Sequence, residues 1–102
     1  MAKNRFFDDE NIAYGGKISA KIISFSNGFV NYDEVKRIRI NSKDYSLLIM
    51  EDYMSVIGEI DGDLTVMGSD FTYEYKGIKG FFKHAYNEFE ILISEEGKTS
   101  ND

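Results

Sequence analysis

The sequence predicts an all-β domain, a small antiparallel β-sandwich or flattened barrel with a flexible N-terminal arm and a C-terminal tail. Three observations predict it. Apolar side chains recur with period two through most of the chain, which places them on one face of extended segments. Turn-forming residues interrupt those segments at short intervals, the spacing of a sandwich or barrel. Eight Phe and seven Tyr favour pleated strands, where flat side chains pack well.

Taken in order, residues 1 to 16 read as an arm. Phe6 and Phe7 are its only bulky pair, and Asp8-Asp9-Glu10-Asn11 and Gly15-Gly16 read as turn and linker. A single β domain follows over residues 17 to 95. Ile18, Ala20 and Ile22 form the first apolar face, and Ser26-Asn27-Gly28 the first turn. Asn31-Tyr32-Asp33-Glu34 carries capping-box chemistry, but Val35, Ile38 and Ile40 revert to alternation, so the reading is a turn followed by a strand. Asn41 to Asp44 is the next turn. Leu47 to Met50 reads as a strand buried on both faces, with Glu51-Asp52 in the loop after it. Ile60-Asp61-Gly62-Asp63-Leu64 reads as a hairpin, because Asp-Gly supplies the positive φ angles of a tight turn. Gly68-Ser69-Asp70 turns again. Phe71, Tyr73 and Tyr75 give one apolar face, Tyr86-Asn87 a turn, and Phe89, Ile91 and Ile93 the last face. Residues 96 to 102 read as a polar, disordered tail.

Charge and composition narrow the function. At 102 residues the chain is one domain with a core of its own. The net charge of −6 argues against nucleic-acid binding, which draws its affinity from neutralised phosphates. The charge is also uneven. Glu51, Asp52, Glu59, Asp61, Asp63 and Asp70 fall in a stretch without a base, while Lys17, Lys21, Lys36, Arg37, Arg39 and Lys43 gather earlier. No cysteine is present, so a disulfide framework and a thiolate metal site are excluded, and a reducing cytoplasm is the compatible location. Runs such as Leu47 to Met50 are far too short for a membrane span, so direct membrane insertion is not expected, nor is a secretory signal.

Catalytic patterns are missing. His84 is the only histidine, and with no cysteine or second histidine it completes neither a triad nor a multi-histidine metal site. At a strand end beside a turn it is expected in solvent, where His84→Ala would be silent. Glu88 and Glu90 share a strand face, which the polar side of an amphipathic strand explains without glycosidase chemistry. Glu59, Asp61 and Asp63 offer hard oxygens but lack the ordered ligand series of a calcium loop. No phosphate-cradling glycine pattern occurs. The expectation is no enzyme, no metal and no cofactor.

An interaction domain is what this leaves. Gly77 and Gly80 weaken a strand, so that the backbone bulges or approaches another chain closely. Phe29, Phe82 and Tyr86 are anchors for a protein partner if they point outward, and core residues if they do not. The six-acid stretch motivates a reading from another class, a small acidic phage or mobile-element protein that inhibits a host enzyme, by mimicking nucleic acid.

Three segments carry a family resemblance. KIISFSNGFVNYDEVKRIRI resembles the opening of the N-terminal domain of the F-type ATP synthase epsilon subunit. SLLIMEDYMSVIGEIDGDLTV is similar to the stretch that follows it there, and IKGFFKHAYNEFEIL to the closing glycine-aromatic strand, turn and apolar strand. Tyr53 and Ser55 stand where that family has histidine and proline, one glycine of its pair remains as Gly80, and its C-terminal helical hairpin is absent. The resemblance implies a flattened β-sandwich serving as a non-catalytic piece of a central stalk, with one surface on the gamma subunit and one end on the c-ring. It also implies Glu51, Asp52, Tyr53, Met54, Gly80, Phe81 and Phe82 as contact residues, which with the anchor Tyr86 make up the expected partner-binding set.

Overall fold

Period-two alternation becomes six strands in the computed structural model, which describes residues 16–96. The expected arm and tail therefore lie, apart from Gly16 and Glu96, outside the described residues. The strands are β1 (Ile18–Ser24), β2 (Gly28–Ser42), β3 (Ser46–Met50), β4 (Val56–Gly68), β5 (Thr72–Ala85) and β6 (Glu88–Glu95). β1, β2, β4, β5 and β6 close into a ring, and β3 is an extra strand beside β2. Of the two architectures expected, the barrel is the one that forms. Each ring strand runs antiparallel to the next, and with five members the closing pair has to be parallel. β1 and β6 are that pair.

Alternation fixes the core. Ile18, Ala20 and Ile22 of β1, Ile38 and Ile40 of β2, and Phe89, Ile91 and Ile93 of β6 are all buried. Each such side chain taken from water stabilises the fold by roughly 1.5–3 kcal/mol. Two of the tight turns are equally direct. Gly28 ends the β1–β2 connection at φ +69°, and Tyr86 and Asn87 both take left-handed φ values in the two-residue β5–β6 turn.

Four expectations change at bends or edges. Asn31 to Glu34 is not a turn but part of β2, which kinks there. Glu34 adopts φ +57°, and the register slips against β1 beside Ile18 and against β4 beside Val35. Small barrels need such bulges to close. Asp61-Gly62 is likewise no hairpin and lies inside β4. A Cβ on Gly62 would meet the Asn41 carbonyl oxygen at 2.2 Å, so this glycine admits the β2 backbone instead of turning the chain. β3 is an edge strand, with Ile49 buried and Met50 exposed, because the barrel closes without it. Finally, Phe71, Tyr73 and Tyr75 do not enter the main core. Phe71 and Tyr73 stack on Tyr32 at one end, the Tyr32 and Tyr73 centroids 4.7 Å apart, and Tyr75 shares a hydrogen bond with Tyr32 through hydroxyls 2.7 Å apart.

Candidate docking site

Outward positions on neighbouring strands meet in rows. Ile23 of β1 is opposite Leu92 of β6, and Leu92 is opposite Phe81 of β5. Ile57 of β4 adjoins the row, opposite Lys83. Ile57 is 77% exposed, Phe81 57% and Leu92 52%, with Ile23 less so. Together they border a shallow groove of about 540 Å³ on the outer wall. The next row carries charge of both signs, including the Lys83–Glu90 pair at 3.7 Å, and Lys79–Glu95 at 3.9 Å flanks the other side. The apolar row thus lies between two ion pairs and ends at the exposed Glu59, opposite Phe81.

The residues expected to bind a partner separate into three groups. Glu51, Asp52, Tyr53 and Met54 do sit beside Tyr86 at one end of the barrel. The Asp52 N–H donates to Asn87 Oδ1 at 2.7 Å, and Asn87 Nδ2 donates back to Asp52 Oδ1 at 3.0 Å, so the β3–β4 loop is fastened to the β5–β6 turn. Met54 and Tyr86 are exposed there, Tyr53 is tucked against the core, and Glu51 pairs with Lys17 at 3.8 Å. Phe81 belongs to the outer row, away from that loop. Gly80 and Phe82 are interior. Phe82 stacks on Phe89, and a Cβ on Gly80 would meet the Leu92 carbonyl oxygen at 2.1 Å. The close approach anticipated for this glycine is to its own β6. Phe29 is exposed opposite Ile23 and extends the row onto β2.

His84 corrects a further expectation. It points into the barrel at 1% exposure, between the rings of Tyr53 and Phe89. Neither ring nitrogen has a hydrogen-bond partner among the described residues. Burial lowers its pKa, since the charged form has lost its water. A base with no orienting partner and no route to solvent is a core residue. The Tyr75 phenol, by contrast, is pushed upward by burial and by its hydrogen bond with Tyr32. Among the described residues no three His, Cys, Asp or Glu side chains converge as metal ligands. Asp63 instead accepts the Gly77 N–H at 3.0 Å, and Asp61 pairs with Lys43 at 3.5 Å.

Sequence reasoning found Phe81 but missed Ile23, Ile57 and Leu92 as its companions. The signal was there in alternation: Ile23 and Leu92 occupy the polar phase of their strands, and Ile57 precedes a glycine. Which strands neighbour one another decides whether such residues form a patch, and that pairing is not written in periodicity.

No protein-family model matches the sequence, and no curated protein matches it. Among solved structures, a chain of the Tetrahymena thermophila mitochondrial ATP synthase, from the cryo-EM structure of its central stalk and c-ring, is similar to this one with a TM-score of 0.62. The fold is shared with an ATP synthase chain. Identity is 18%, so the likeness is one of fold, and it covers 79% of this chain. This chain spans 66% of its neighbour's length, just under two thirds.

Proposed function

We propose that the chain is a non-catalytic protein-binding barrel that docks on a larger assembly, in the manner of the N-terminal domain of the ATP synthase epsilon subunit. The observation that carries this reading is the outward row of Ile23, Leu92 and Phe81 with Ile57 beside it. Soluble monomers seldom expose contiguous apolar patches beyond a few hundred Å² without using them. The fold shared with an ATP synthase chain supports the stalk as the kind of assembly. Cysteine-free composition is compatible with a reducing compartment such as the cytoplasm.

Magnitudes set the expected strength. Four apolar side chains at roughly 1.5–3 kcal/mol each are opposed by about 4–15 kcal/mol of lost freedom on association. The row by itself thus supports micromolar docking at best, which needs about 8 kcal/mol, and not a permanent complex. Calorimetric titration with purified ATP synthase gamma subunit tests the reading. Heat with a micromolar Kd is expected, together with at least a tenfold loss in Phe81→Glu. The absence of heat at micromolar concentrations discards the stalk assignment.

A further inference from the structure

Arg37 and Arg39 leave the outer face of β2 two residues apart, which sets their Cα atoms roughly 7 Å from each other. Both are exposed, and neither side chain makes an ion pair or hydrogen bond with any described residue. Lys17, Lys43, Lys76, Lys79 and Lys83 each have a carboxylate within 4.0 Å. The contrast is not for want of acids, since the chain holds 18 of them. It follows from the register. On the β3 side Arg37 faces Met50 and Arg39 faces Leu48, and on the β4 side they face Met67 and Thr65. The next acids outward are engaged elsewhere, Asp63 with the Gly77 N–H and Glu74 with Lys76.

A second feature lies beside the two arginines. The strand order ends at β3, so one edge of Ser46–Met50 has no partner strand among the described residues. Such an edge presents unpaired N–H and C=O groups to any extended segment. We propose that this face binds an extended acidic segment of a partner protein, which adds to the β3 edge and turns alternate carboxylates toward Arg37 and Arg39. Side chains at alternate positions of a strand repeat at the same spacing as the arginines. Guanidinium groups take carboxylates in two parallel hydrogen bonds, and here the long arginine side chains reach the added strand across Leu48 and Met50 of β3. A polyanionic nucleic acid fits less well, because two arginines neutralise few phosphates and the chain as a whole repels it at net charge −6. This face lies on β3 and the second half of β2, whereas the apolar row runs over β1, β6, β5 and β4 and meets β2 only at Phe29 near its start, and the proposal stands independently of docking through that row.

The test is an NMR titration of the full-length, ¹⁵N-labelled protein with a synthetic ten-residue peptide alternating Glu and Val. Shifts confined to Ser46–Met50 and to the Nε signals of Arg37 and Arg39 are expected, weakening as salt is raised. An Arg37→Gln/Arg39→Gln variant should lose at least tenfold in affinity, and Phe81→Glu none. If the double variant does not fold, Met50→Asp must give the same loss. Shifts that are absent, that fall elsewhere, or that survive in these variants overturn the proposal. So does a single-stranded ten-nucleotide thymidine oligomer that binds the same residues as tightly, which would make this a phosphate site.

Discussion

Phe81 and Phe82 are adjacent in the chain, yet Phe82 is 3% exposed and stacked on Phe89, whereas Phe81 is 57% exposed beside Leu92. The same opposition runs along the whole second half of β5. Ile78, Gly80, Phe82 and His84 line the interior, while Lys79, Phe81 and Lys83 face outward. One face of this strand sets stability and the other is free to set recognition. The two are chemically alike at their centres, so the difference comes from the pleat and not from residue type.

Substitutions on either face sharpen this contrast. Phe82→Ala removes a buried ring from the core and should cost about 3–5 kcal/mol in denaturant unfolding. Gly80→Ala forces a methyl against the Leu92 carbonyl oxygen, with an expected loss of about 1–3 kcal/mol by the same measurement. His84 acts through pH. Its folded pKa lies below the ordinary value of about 6.5, so the unfolded chain takes up the proton first. Its contribution is fully present above pH 6.5, is lost as pH falls below that value, and levels off beneath the depressed folded pKa, with a slope of at most about 1.4 kcal/mol per pH unit. His84→Leu should abolish that acid slope, and His84→Ala, far from silent, should destabilise by about 2 kcal/mol as a cavity forms. At the small end, Asp61→Asn and Asp63→Asn should each change stability by less than about 0.5 kcal/mol, since Asn keeps the acceptor for Gly77 N–H.

Legibility followed the same division. Ile18, Ala20, Ile22, Phe89, Ile91 and Ile93 were readable because each belongs to a straight strand with one buried face. Asp61-Gly62 was not, because a glycine that admits a neighbouring backbone has the same composition as one that turns. Asn31 to Glu34 failed for a related reason, as a bulge uses turn chemistry inside a strand. His84 was misplaced by its polarity, although its phase with Gly80 and Phe82 pointed inward. The outer apolar row was half visible. Phe81 stood out in Gly-Phe-Phe, but its partners Ile23, Leu92 and Ile57 come from three other strands, and only the closure of β1 on β6 brings them together.

The claim that the outer row, and not the barrel's integrity, governs docking is tested most directly on Phe81→Glu. Its thermal unfolding and its titration with gamma subunit are measured beside those of the unaltered chain. A melting temperature close to that of the unaltered chain, with affinity at least tenfold weaker, is the predicted result. Full affinity in a folded Phe81→Glu protein would contradict it.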